Sequence, residues 1–105
     1  MPNVLKNAKA QASIAGTTVL TAPAGSVLTV IGCRAANGDA SANHVVEFDV
    51  SGTLISGAAT PLPVGSAIDI MVGSKIVVVA GETVNATSDA DSVVDVIISY
   101  LEQTP

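Results

Sequence analysis

The stretch Ser92-Val93-Val94-Asp95-Val96-Ile97-Ile98-Ser99-Tyr100-Leu101-Glu102 decides the fold class. Successive side chains of a strand point to opposite faces. In extended form, one face therefore presents Val94, Val96, Ile98 and Tyr100, and the other Val93, Asp95, Ile97, Ser99 and Leu101. β-Branched residues dominate the stretch, and they suit a pleated surface better than a helix. Ile76-Val77-Val78-Val79 shares its doubly apolar character. In Asn43 to Ser51 the faces differ: His44, Val46, Phe48 and Val50 share one, while Val45, Glu47, Asp49 and Ser51 share the other. That pattern predicts one buried and one wet side. A sandwich strand needs only one apolar face, so the doubly apolar strands call for a cover from a partner subunit, the N-terminal arm or a larger assembly.

Working outward, the 16 Val, 8 Ile and 9 Thr extend the β-branched bias over the whole chain, and Phe48 and Tyr100 are its only aromatics. From Thr17 onward, short β-branched runs alternate with Gly, Pro, Asn and Asp punctuation. The expected strands are Thr17–Thr21, Ser26–Ala36, Asn43–Ser51, Thr53–Ser56, Ser66–Met71, Lys75–Ala80, Glu82–Thr87 and Ser92–Glu102. The segment Lys6 to Ala15 shows no regular apolar face and reads as an extended arm. The expectation is an all-β, single-domain antiparallel sandwich, jelly-roll or immunoglobulin-like, of about eight strands. Residues 1–16 form its arm and 17–105 the sandwich.

A turn device recurs. Pro23-Ala24-Gly25-Ser26 is echoed by Pro63-Val64-Gly65-Ser66 and, without the proline, by Ala80-Gly81-Glu82. With Pro at the second turn position and Gly at the fourth, the pattern matches a type I turn.

Charge is sparse and acidic: four Lys and Arg stand against nine Asp and Glu, a net charge of -5 and a pI near 4.3. Nucleic-acid binders cluster basic residues, so nucleic acid is not an expected partner. Charged residues make up 12% of the chain, against about 25% in an ordinary soluble domain. The longest apolar run, Ile76 to Ala80, is far short of a membrane-spanning helix. Met1-Pro2-Asn3-Val4-Leu5-Lys6 lacks the pattern of a secretory signal, and synthesis without export is the expectation.

Few residues suggest chemistry. Cys33 is the lone cysteine and falls in an apolar strand, which predicts a buried, inert thiol. His44 is the lone histidine and has no nucleophile in a suitable motif beside it. Asp89 and Asp91, two apart in a loop, are candidate calcium oxygens, yet the loop lacks the remaining ligands of an EF-hand. Asn85-Ala86-Thr87 fits the glycosylation sequon by chance. No catalytic residue, cofactor or metal is expected. The candidate assembly contacts are the cations Lys6, Lys9 and Arg34, the loop-tip residue Asp39, and Ile97 and Leu101 on the second apolar face of the last strand.

Val19-Leu20-Thr21-Ala22-Pro23-Ala24-Gly25, Thr29-Val30-Ile31-Gly32 with Ala35-Ala36-Asn37, Pro61 to Ser66, Lys75 to Val78 with Ala80 to Val84, and Val94 to Glu102 follow one another at distinctive spacing. In this order the chain resembles small all-β virion proteins of tailed bacteriophages, found among head-decoration and neck or tail components. The resemblance spans about 85 residues of β punctuation. It implies a non-enzymatic structural role in the virion, with the major capsid protein or other virion subunits as partners and homo-oligomers as the assembling unit. Capsid decoration or cementing is the first expectation and a neck or tail component the second. A receptor- or carbohydrate-binding module is a third, set back by the shortage of aromatics for stacking on sugars.

Overall fold

The computed structural model describes residues 3–57, 60–70 and 75–103. Its strands are β1 (Asn3–Gln11), β2 (Thr17–Thr21), β3 (Val27–Asn37), β4 (His44–Val50), β5 (Thr53–Leu54), β6 (Thr60–Leu62), β7 (Ala67–Asp69), β8 (Ile76–Val79), β9 (Thr83–Ser88) and β10 (Val94–Gln103). The expected all-β architecture is present, with ten strands in place of eight. Met1 and Pro2 of the expected arm and Met71 of an expected strand lie outside the described residues.

Two antiparallel five-stranded sheets divide the chain. Sheet A runs β1-β10-β3, and both β7 and β8 pair with the far edge of β3. Sheet B runs β2-β9-β4, and both β5 and β6 pair with the far edge of β4. The stretch expected as an arm is β1, an integral strand paired with β10 from Asn3↔Gln103 to Gln11↔Asp95 without a break. Its alternation is Ala8, Ala10 and Ala12 against Asn7, Lys9 and Gln11. Alanine contributes too little apolar signal to mark a strand by itself. β6 carries Pro61, which sheets tolerate on an edge.

The turn device is shifted by one residue from the expectation. Ser26 N–H donates to the Pro23 carbonyl and Ser66 N–H to that of Pro63, both at 3.1 Å, so each proline is the first turn residue. Gly25 (φ 80°) and Gly65 (φ 73°) then occupy the third position, where a type II turn requires positive φ. Glu82 N–H to the Val79 carbonyl, with Gly81 at φ 88°, repeats the geometry. A Cβ at any of these glycines would find open space, so conformation and not crowding selects glycine there.

The core lies between the sheets. Leu28, Val30, Val94, Val96 and Ile98 from sheet A meet Leu20, Val46, Phe48, Leu62, Val84 and Ala86 from sheet B, all buried. Cys33 is buried among them, and its burial pushes the thiol pKa up to about 12. The molecule is elongated, 47 × 23 × 20 Å. The long strands of sheet A have 9, 10 and 11 residues and those of sheet B only 5, 6 and 7, so the sandwich is not matched in length.

Candidate assembly surface

The outward face of sheet A follows from its registers. Leu5, Leu101, Thr29 and Val77 form one row across four strands. Leu5 is 67% exposed and Val77 56%, and Val27 and Val79 extend the exposed apolar area beside them. At Ser99/Tyr100 the register with β3 shifts: Gly32 lies opposite Ser99 and Val30 opposite Tyr100, leaving Ile31 as the extra, exposed residue of a bulge. Five of the large apolar side chains exposed on the molecule thus belong to this single face. Isolated exposed apolar groups are ordinary, whereas a contiguous set marks an interaction surface.

A second row on the same face joins Lys9, Ile97, Arg34 and Asp69. Arg34 Nη1 lies 3.3 Å from Asp69 Oδ1, with both side chains more than half exposed. Lys9, Gln11, Arg34, Asp95 and Ile97 line a shallow groove of about 550 Å³ here. Gln11 Nε2 donates to Asp95 Oδ1 at 3.1 Å. Between the two rows, Ser99 Oγ donates to Asn7 Oδ1 at 2.9 Å. The face is therefore an apolar field at one end and an isoleucine flanked by two cations at the other.

Of the six residues expected at an assembly contact, four meet on this face: Lys9, Arg34, Ile97 and Leu101. Lys6 does not, because the strand period turns it to the opposite side. There its Nζ donates to Glu102 Oε1 at 2.6 Å, and the hydrogen bond and charge of Glu102 raise the Lys6 pKa. Ser26 Oγ adds a bond to Glu102 Oε2 at 3.4 Å. Asp39 does not either, since it serves a clasp elsewhere. Leu5 and Ile31 are not among the expected contacts, whereas Val77 belongs to the doubly apolar run Ile76 to Val79. Reading residues 3–11 as a strand would have found Leu5.

The clasp is built on His44, whose side chain is 10% exposed. Its Nε2 lies 2.9 Å from Asp39 Oδ2 and its Nδ1 2.9 Å from Asp89 Oδ1, so both nitrogens face carboxylates. Two acceptors demand two donors, which is the imidazolium form. Donation to Asp39 and then to Asp89 raises the His44 pKa. Asp39, which also accepts from Ser41 N–H and Oγ, is held down to about 2. At Asp89, desolvation works against ionisation, but bonds from His44 and Val45 N–H prevail and lower its pKa. Asn37 secures the same corner: its Oδ1 accepts Asp39 N–H, and its Nδ2 donates to the Ala42 and Leu62 carbonyls at 3.0 Å.

Asp91, the other candidate calcium oxygen, accepts Ile14 N–H at 2.9 Å. Among the described residues, no group of three or more His, Cys, Asp and Glu is arranged to hold a metal ion. Asn85, in the sequon, bridges Thr18 and Asp49 on sheet B. The chain matches no family model, no curated protein and no solved structure.

Proposed function

We propose that this protein is a non-enzymatic structural subunit of a phage virion, a decoration or cement protein that docks on the outer capsid shell through the outward face of sheet A. The observation that carries the reading is the gathering of Leu5, Leu101, Val77, Val27 and Ile31 on one face, with Ile97 between Lys9 and Arg34 beyond the Asn7–Ser99 pair. An apolar centre with charge confined to its margin is the composition of a protein interface. The two strand orders, β1-β10-β3 ending in β7 and β8 and β2-β9-β4 ending in β5 and β6, support the jelly-roll form of the sandwich as part of this proposal. Viral capsid domains use that architecture.

Lectins use it too, but sugar recognition relies on exposed aromatic platforms. Phe48 is wholly buried and Tyr100 packs against the core, which disfavours the carbohydrate-binding alternative. A neck or tail ring would use the same face, and copy number separates the two positions. A protein that binds only the assembled shell stabilises that state by mass action.

The test is the molar ratio of this chain to the major capsid protein in purified particles, measured by quantitative peptide mass spectrometry. Decoration predicts a ratio near one, with particles lacking the protein rupturing at lower temperature. A few copies per hundred capsid subunits would move it to the neck or tail, and absence from particles would overturn the virion reading.

A further inference from the structure

β1 is the one long unbroken edge among the described residues. Its nine residues pair with β10 on one side and with no strand on the other. The opposite edge of sheet A is divided between β7 and β8, and that of sheet B between β5 and β6. The remaining edge, β2, has five residues and a register shift between Thr18 and Leu20. Short, bulged or divided edges discourage strand addition, whereas long regular ones invite it. β1 contains neither a proline nor a bulge.

The backbone groups it offers can be assigned. Ala12 N–H donates to the Val94 carbonyl at 2.9 Å, which makes Ala12 and Val94 a hydrogen-bonded pair. Bonded and non-bonded pairs alternate along an antiparallel ladder. Across the unbroken register, Ala10, Ala8, Lys6 and Val4 therefore bond to β10. The N–H and C=O groups of Asn3, Leu5, Asn7, Lys9 and Gln11 point to the open edge.

We propose that this edge binds the same edge of a second copy, antiparallel about a two-fold axis at Asn7, joining two sheets A into one continuous ten-stranded sheet. In the register that overlaps all nine residues, Asn3 lies opposite the partner's Gln11, Leu5 opposite the partner's Lys9, and Asn7 opposite its own copy. Every edge-directed donor then meets an edge-directed acceptor. The same register keeps like charges apart: Lys9 faces the partner's Leu5 and Lys6 the partner's Ala8. The slips that would oppose Lys9 to Lys9 or Lys6 to Lys6 shorten the overlap as well. Leu5, the most exposed large apolar side chain described, gains the aliphatic stem of the partner's Lys9 as its cover. The axis is isologous, so the contact closes at two copies, and the apolar outward faces of both copies lie on one side. The inference deepens the assembly reading by naming its self-association surface.

Sedimentation equilibrium of the full chain, with four variants, tests it. The wild type is expected to dimerise reversibly. Leu5→Lys opposes two ammonium groups across the axis twice over and is expected to weaken the dimer by about five- to thirtyfold, more at low salt. Adding Lys9→Glu to Leu5→Lys restores an opposite-charge pair and is expected to recover most of the loss. Asn7→Pro deletes an edge-directed N–H without touching a β1–β10 backbone bond, while Asn7→Ala removes only the side-chain bond from Ser99 Oγ; the proline is expected to abolish the dimer with the melting transition persisting, and the alanine to keep it. A wild type that stays monomeric at several hundred micromolar overturns the proposal, as does a dimer indifferent to Leu5→Lys and Asn7→Pro. If the monomeric chain is still found on particles, only the self-association surface fails and the virion reading stands.

Discussion

The outward faces of the two sheets share one core and one chain, yet they treat water oppositely. On sheet B the row Thr18, Asn85, Asp49 is bonded to itself: Thr18 Oγ1 donates to Asn85 Oδ1 at 2.8 Å, and Asn85 Nδ2 to Asp49 Oδ2 at 3.1 Å. Asp49 Oδ2 also accepts Gly52 N–H at 2.8 Å. Thr21, Thr83, Thr87 and Glu47 extend this into a mainly polar surface, on which Leu54, opposite Asp49, is an exposed apolar side chain. On sheet A the corresponding row is Leu5, Leu101, Thr29 and Val77, with Leu5 and Val77 more than half exposed. The difference shows that a doubly apolar strand is a property of one sheet, not of the chain's composition, and it is the ground on which docking is proposed for sheet A.

Several substitutions sharpen or break that contrast. The largest effect belongs to the shared core. Phe48→Ala empties a fully buried site and should cost about 3 to 5 kcal/mol in denaturant unfolding. It should impair both faces together. Next, Val77→Asp should reduce binding to shells lacking the protein by at least about tenfold. Thr21→Asp, also exposed but on sheet B, should leave binding unchanged, and equal losses would erase the distinction between the faces.

The clasp predicts a smaller, pH-dependent effect. His44 has a folded pKa above its unfolded 6.5, so its contribution is complete below that value and is lost as pH rises through the folded pKa. Asp39, held at about 2 against 3.8 unfolded, contributes above 3.8 and loses that contribution as pH falls toward 2. The melting temperature should therefore be highest between about pH 4 and 6. His44→Gln should flatten the decline on the alkaline side, and an unaltered profile would deny the imidazolium bridge. The smallest effect is expected for Arg34→Ala, whose exposed pair with Asp69 should change stability by less than about 1 kcal/mol. Any defect of that variant should appear in shell binding alone.

Much of this was legible in the sequence, where alternation was strong. β4 and β10 declared their faces through Phe48, Val46, Ile97 and Leu101, and the excess of apolar character in β10 and β8 pointed to a covered second side. β1 was obscured because its inward residues are alanines, and an arm and an edge strand then look alike. The turn glycines mark the corners, but their spacing alone puts each proline one position late, since only the hydrogen bond from Ser26 to Pro23 fixes which residue comes first. The clasp was invisible because His44 and Asp89 are 45 residues apart and meet only when β4 pairs with β9.

The central claim is that sheet A docks and sheet B faces water. It is tested most directly by hydroxyl-radical footprinting of the protein, free and on purified particles. Protection at Leu5, Ile31, Val77, Ile97 and Leu101, with Thr18, Thr21, Thr83 and Thr87 unchanged, is the predicted result. Protection confined to the threonine face, or reactivity equal in both states, would contradict it.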